Sequence, residues 1–211
     1  AFVVFLGTLA EALWTSGPQG WERGLLALAE AQRGDLPRQF AWIITQAGGL
    51  LPVSLATLTL VAALWRAGEV RRAGFAVLGV ASAVLVAYVL KALLGTPRPN
   101  GLTATAEFAA AFPSAHAAGI AALVTVWLTV LPPRARVLRW LLLLPGGLLI
   151  ALVAATRLLL GVHWPLDVIG GLALGIVLGA LPAVAGGVRS PVRRRDESVV
   201  LSAGILVATA G

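Results

Sequence analysis

The sequence contains no cysteine and no methionine, and only one lysine, two histidines and nine acidic side chains in 211 residues. Without cysteine there is no disulfide framework and no cysteine-ligated metal site, and the redox compartment leaves no trace. With no methionine at all, residue 1 is expected to be a trimmed or processed end. Charge is scarce as well: 12% of residues are charged and 59% are hydrophobic, a balance that excludes an ordinary soluble domain. Two histidines and few carboxylates, with lysine and arginine close by, supply a metal site poorly. The formal net charge of +7 would suit a nucleic-acid binder, but the placement of the arginines argues against one.

What is present is a set of long, uncharged apolar blocks. A helix needs ~20 apolar residues to cross a ~30 Å hydrocarbon core, so the blocks predict an all-α, polytopic membrane bundle of about six transmembrane helices. Residues 1–14 read as an apolar helix, shortened at its start. Residues 17–41 are mixed, with Trp21, Leu25, Leu28 and Ala29 at helical spacing. They suit either an amphipathic helix lying in the membrane interface or a solvated helix that only packs on the bundle. Further spans are expected at about 42–65, 73–95, 114–131, 140–160 and 164–188. The last is rich in glycine (Gly170, Gly171, Gly175, Gly179), which favours close helix contact. Residues 1–198 are expected to form one domain with its core at 42–188, followed by a short apolar tail at 199–211.

Successive spans alternate direction, which gives the charges a meaning. The loops after the second, fourth and sixth spans hold Arg66, Arg71, Arg72, Arg134, Arg136, Arg139, Arg189, Arg193, Arg194 and Arg195. By the positive-inside rule that side is cytoplasmic, and this confinement to one membrane face excludes nucleic-acid binding. On the other side Arg23, Arg33 and Arg38 are matched by Glu22, Glu30 and Asp35. Lys91, Arg98 and Arg157 are not required by the rule, and each falls at the outer end of a span.

Three stretches on that outer side stand together. In the first, Lys91 ends a helix that Gly95 and Pro97 break, and Pro97 and Pro99 hold Arg98 extended. In the second, Pro113-Ser114-Ala115-His116 opens a span, with Ser114 a natural N-cap and the helix mouth favourable to an anion. The third runs from Thr156 to Asp167 and carries Arg157, His163 and Asp167. Pro165 suits the first turn of a helix, which places His163 at its mouth and Asp167 one turn in, on nearly the same side. A carboxylate that accepts one imidazole N–H fixes the tautomer and makes the other nitrogen a better nucleophile or base. Taken singly, each residue has a plain explanation: snorkelling for Lys91 and Arg157, a turn for Arg98, a cap for Ser114. Together, three cations, a helix N-terminus and both histidines make a site for a phosphate group.

The order K-x6-R-P (Lys91, Arg98, Pro99), P-S-x-H (Pro113, Ser114, His116) and R-x5-H-x3-D (Arg157, His163, Asp167) resembles the signature of the type 2 phosphatidic acid phosphatase superfamily. That superfamily includes bacterial undecaprenyl-diphosphate phosphatases, glucose-6-phosphatase and vanadium haloperoxidases; the apolar spans exclude the soluble haloperoxidases. The chain departs from the pattern twice, with Ala115 where glycine is usual and Thr156 where serine is usual. Neither change removes a charged or proton-transferring group. The resemblance implies that His163 attacks phosphorus to form a phosphohistidine, oriented by Asp167. It implies that His116 protonates the leaving group and then activates water. Lys91, Arg98, Ser114, Ala115, Thr156 and Arg157 would surround the phosphate oxygens, with no metal or other cofactor needed. The implied substrate is a lipid phosphate whose chains stay in the bilayer: undecaprenyl diphosphate first, or phosphatidylglycerol phosphate or phosphatidic acid. A prenyl-phosphosugar phosphatase and a non-catalytic lipid-phosphate binding or transport protein are the alternatives. The expected location is a bacterial plasma membrane, with the site facing the extracytoplasmic side.

Overall fold

The computed structural model describes residues 1–15, 17–99, 110–130 and 136–185. Three sequence features lie outside these residues: the Pro132-Pro133 turn, the basic run at 189–197 and the apolar tail at 199–211. The described residues form eight helices: α1 (Phe2–Trp14), α2 (Gly20–Ala31), α3 (Asp35–Gln46), α4 (Leu50–Arg66), α5 (Val70–Leu94), α6 (Ala115–Val130), α7 (Arg136–Leu159) and α8 (Pro165–Ala185).

Among the described residues four segments are long and apolar enough to cross a bilayer: Asp35–Arg66, Val70–Leu94, Trp140–Leu159 and Pro165–Val184. The remaining apolar helices, α1 and α6, are shorter. At 13 residues α1 reaches only about 20 Å, short of a membrane's ~30 Å core, and it packs on α8. Helix α6 occupies the centre of the bundle, against α4, α5, α7 and α8. Ala117, Ala118, Ile120, Ala121, Ala122 and Val126 are almost wholly buried there, so α6 meets protein where a peripheral span would meet lipid.

The second expected span is not one straight helix. Its first part, α3, begins at Asp35, and the chain breaks at Ala47–Gly49 before α4, whose N-cap is Gly49. Pro52 sits in the first turn of α4, where a missing N–H is tolerated, and Gly48 lets the break approach α6 and α7. A methyl on Gly48 would meet Val153 Cγ1 at 2.7 Å and His116 O at 3.1 Å. The 17–41 stretch also divides, into α2 and the start of α3. Its apolar residues Trp21, Leu25 and Leu28 are exposed while Glu22 and Leu26 are buried. A helix that only packed its apolar face on the bundle would show the reverse.

Small residues set how close α6 and α8 lie. On α8, Gly171, Gly175 and Gly179 recur every four residues and form one stripe. A methyl group at Gly171 would fall on Ser114 O, one at Gly175 on Ala118 O, and one at Gly179 would meet Ala122 O at 2.9 Å. Ser114, Ala118 and Ala122 have the same four-residue spacing, so the two helices are locked in register with backbone nearly touching backbone. That register brings the N-terminal ends of α6 and α8 together. The C-terminal ends of α5 and α7 reach the same end of the bundle, and Arg66, Arg71 and Arg72 lie at the other. From Lys91 to Arg72 the length of α5 is about 28 Å.

Candidate active site

The C-terminal turn of α5 supplies Lys91. Gly95 ends this helix in the left-handed conformation (φ 59°), with its N–H donating to Lys91 O. The Lys91 side chain is buried, and its ammonium donates to Ala110 O (2.7 Å) and Ala111 O (2.9 Å). With three donors on an ammonium, one N–H remains. The two strands of chain beyond α5 are tied directly: Ala111 N donates to Thr96 O, and Phe112 N donates to Thr96 Oγ1 at 2.7 Å. Lys91 therefore anchors the approach to α6 as well as adding charge.

Arg98 follows two residues after the break and donates through Nη1 to Val162 O at 3.1 Å. Beside it, Trp164 Nε1 donates to Pro97 O at 3.0 Å. These two bonds fasten the Pro97–Arg98 segment to the loop that carries His163.

Ser114 is fully buried and caps α6 as its sequence position predicts: Ala118 N donates to Ser114 O, and Ala117 N reaches Ser114 Oγ at 3.5 Å. Its own N–H donates to Asp167 O at 2.9 Å, which ties the start of α6 to the start of α8. The first-turn amides of Ala115 and His116 have no partner within their own helix and make the mouth of α6 anion-attracting. Ala115 is the first residue of that helix, so the glycine usual in the motif is not called for by a left-handed backbone here.

The C-terminal turn of α7 brings Thr156 and Arg157, both buried. The Thr156 hydroxyl donates to Val153 O within its own helix at 2.6 Å. Arg157 Nη1 donates to Thr45 Oγ1 of α3 at 2.6 Å. Arg157 Nε is buried and has no partner, the one such side-chain atom among the described residues. A buried guanidinium nitrogen without an acceptor is costly, and a bound anion would satisfy it.

Between α7 and α8 the chain turns through Gly161 and places His163 just before the helix. His163 is 2% exposed. Its Nδ1 lies 3.4 Å from Asp167 Oδ2, the same oxygen that accepts Trp164 N–H at 2.8 Å. Asp167 therefore does two things: it accepts a backbone N–H at the helix start and faces the imidazole. An ionised carboxylate there places the proton on Nδ1 and leaves the lone pair on Nε2. Burial holds the His163 imidazole well below its usual value, and Lys91, Arg157, Arg98 and His116 lower it further. The ring is thus neutral at neutral pH. Burial also lowers Arg98, with Asp167 opposing the shift, but a guanidinium stays charged regardless.

His116 projects from the first turn of α6 toward a crevice lined by Gly48, Leu50, Val53, Val84, Tyr88 and Gly119. A larger cavity, about 270 Å³, is lined by Asp167 together with Glu22, Thr96, Phe112, Trp164 and Leu166 among others. None of Lys91, Arg98, Arg157, His116 or His163 lines it, so it is not the place where an anion would meet the cations.

Three residues at this end escape a reading of the sequence. Glu22 is 3% exposed and accepts from Leu166 N (3.1 Å) and Gln19 N (2.9 Å). Arg33 donates to Leu159 O (2.6 Å) and Leu158 O (3.4 Å) at the end of α7. Thr45 holds Arg157. In sequence Glu22 and Arg33 look like locally balanced charges, and Thr45 is one polar residue in an apolar run. Only the tertiary fold carries α2 and α3 to the site.

Three cations and a buried imidazole–carboxylate pair come together at one end of a membrane-helix bundle. Residues 72–186, more than half of the chain, match the PAP2 superfamily. The chain belongs to that superfamily and is an integral membrane protein. A decaprenylphosphoryl-5-phosphoribose phosphatase from Mycobacterium tuberculosis (strains CDC 1551 / Oshkosh and ATCC 25618 / H37Rv) is 35% identical over 116 residues. That match covers 52% of this chain and 59% of the relative, less than two thirds of its length. The fold is similar to a transmembrane PAP2 type phosphatidylglycerolphosphate phosphatase from Bacillus subtilis (TM-score 0.76, 22% identity, 90% of this chain and 98% of that one). It is also similar to Aquifex aeolicus LpxE (TM-score 0.60, 22% identity, 80% and 98%). At these identities the likeness to the two solved structures is one of fold.

Proposed function

We propose that this protein hydrolyses the phosphate of a membrane lipid through a phosphohistidine on His163. The observation that carries the reading is His163 itself: buried, neutral, held at Nδ1 by Asp167 and acted on by Lys91, Arg98 and Arg157 together. His163 Nε2 attacks phosphorus in line as the bond to the lipid oxygen breaks, and His116 gives that oxygen its proton. Water then attacks the phosphohistidine, His116 takes the water's proton, and inorganic phosphate leaves. Lys91, Arg98, Arg157 and the amides at the mouth of α6 neutralise the equatorial oxygens, where charge gathers in the transition state. Ser114 contributes by holding α6 to α8, and Ala115 through its N–H. Thr156 stiffens the turn that bears Arg157. A binding protein would need the cations but not the imidazole–carboxylate pair, which favours turnover.

A site at the end of a membrane-helix bundle supports a leaving group that continues into a lipid chain. Among lipid phosphates, the M. tuberculosis relative favours a terminal phosphate on a prenyl-linked sugar over undecaprenyl diphosphate, phosphatidylglycerol phosphate and phosphatidic acid. The arginines at the far end of the bundle support a site on the extracytoplasmic side of a bacterial plasma membrane.

The test is phosphate release by purified protein in detergent from a panel of these four lipid classes, with EDTA present. The proposal expects turnover of at least one lipid phosphate that His163→Ala abolishes while phosphate binding survives. Unchanged hydrolysis in His163→Ala, or lipid binding with no hydrolysis in the native protein, overturns it.

A further inference from the structure

Arg157 lies in the last turn of α7, His163 in the short connection that follows and Asp167 in the first turn of α8, and both ends of that connection are gripped from outside. At its start, Arg33 donates to the carbonyls of Leu158 and Leu159, 125 and 126 residues away in sequence. At its finish, Glu22 accepts the N–H of Leu166, 144 residues away. Each charge has the sign that its helix end favours, a cation at the C-terminus of α7 and an anion at the N-terminus of α8. Glu22 lies in the first turn of α2 and Arg33 in the turn just after it, so α2 and that turn bridge the two ends of the connection. Glu22 is buried with both oxygens engaged on backbone N–H groups. A buried carboxylate is costly unless such bonds are made.

Competition among acceptors at the mouth of α8 gives this grip a catalytic meaning. Pro165 has no N–H. The N–H of Trp164 goes to Asp167 Oδ2, and that of Leu166 goes to Glu22 Oε1. Were Glu22 absent, Leu166 N–H would be an orphan one residue from Asp167, whose carboxylate already accepts the neighbouring Trp164 N–H and is an acceptor in the same helix turn. Turning toward the orphan would come at the expense of His163 Nδ1, whose 3.4 Å separation from Oδ2 leaves little to lose. We propose that Glu22 and Arg33 are positioning residues: α2 is a brace that sets the geometry of the catalytic connection and keeps Asp167 on His163. Thr45 extends the same role to Arg157 through its 2.6 Å bond. This inference rests on the catalytic reading of His163.

The test compares Glu22→Ala, Glu22→Gln, Arg33→Ala and Arg33→Lys with the native protein in detergent. Two quantities are read: the single-turnover rate of phosphoryl transfer to His163 from a lipid phosphate, and the inhibition constant of inorganic phosphate, a ground-state anion that reports the cation pocket. A displacement near 1 Å can cost about 10²-fold in rate, so the alanine variants should lose about 10- to 100-fold in transfer rate. Their phosphate constants should stay within about threefold of native, because Lys91, Arg98 and Arg157 are retained. Glu22→Gln keeps one acceptor and Arg33→Lys keeps the charge, and both should recover part of the rate. Transfer rates within twofold of native in the alanine variants overturn the brace. So does a fall in rate matched by equal losses of phosphate affinity and thermal stability, which marks a purely structural role. If Glu22→Ala does not fold, Glu22→Gln and Arg33→Ala are judged by the same criteria. Failure of the native protein to form a phosphoenzyme would instead defeat the catalytic reading beneath this one.

Discussion

Replacing Gly171 by alanine adds one methyl group where the structure has no room for it. The new Cβ would fall on the carbonyl oxygen of Ser114, with Ser114 N at 3.2 Å and Ala117 Cβ at 3.2 Å close by. Backbone at the start of a buried helix cannot rotate aside as a side chain would, so α6 and α8 must part by about 1 Å to restore ordinary contact. Overpacking of this kind costs typically about 1–3 kcal/mol of stability. The functional cost should be larger in proportion. Ser114 N–H holds Asp167 O at this contact, and His116 follows two residues later. Separating the helices moves His116 relative to His163 and Asp167, and a 1 Å error can cost about 10²-fold in turnover. Phosphate release from a lipid phosphate, with thermal unfolding in the same detergent, reads both effects. Gly74→Ala is the control, since nothing lies within 4 Å of the methyl it would add. Turnover in Gly171→Ala within twofold of native, with Gly74→Ala equally unaffected, would refute the claim that helix contact sets the site.

Other outcomes follow from the charges. Burial and the cations keep His163 well below the usual imidazole value of 6.5, so the acid limb of kcat/KM assigned to the nucleophile should lie below pH 6.5 and move up toward it in Arg98→Gln; a native limb at or above 6.5 contradicts this. For stability the sign is that of a buried neutral histidine: below pH 6.5 the unfolded chain binds a proton that the native state refuses, so unfolding in detergent should become easier as pH falls from 6.5. Hydrolysis should persist in EDTA and be inhibited by orthovanadate, which can adopt the trigonal bipyramidal shape of the in-line transition state; activity lost in EDTA and restored by magnesium would sink the mechanism. Single cysteines at Thr15, beside the cavity at the site end, and at Ala67, at the opposite end, should label from opposite sides of intact cells, with Thr15→Cys reacting with an impermeant reagent; labelling of both from one side would overturn the proposed orientation.

The motif residues were legible in sequence because they sit at the ends of strongly apolar helices, where an unexplained charge is conspicuous. Lys91, Ser114, Arg157, His163 and Asp167 all fall at one end of the bundle for that reason. Their partners were not legible. That Lys91 spends two donors on Ala110 O and Ala111 O depends on how the chain returns to α6, and no periodicity records it. The Thr156 hydroxyl turns back into its own helix, a local choice common to threonine in helices. The glycines of α8 announced a close contact, but its partners Ser114, Ala118 and Ala122 emerge only once the register is known. Glu22 is the plainest case. Beside Arg23 it reads as a surface charge, and it is buried because the start of another helix needs an acceptor. The break at Gly48–Gly49 was hidden inside a continuous apolar run, since hydropathy reports depth in the membrane and not the direction of the backbone.

The central claim is that His163 carries the phosphoryl group, and the most direct measurement is to find it there. Native protein and His116→Ala are quenched during turnover of a radiolabelled lipid phosphate and mapped by peptide. The account predicts an acid-labile, base-stable label on His163, more abundant in His116→Ala because the water that clears the intermediate has lost its base. Label on His116, or rapid turnover with no phosphohistidine in either protein, would contradict it.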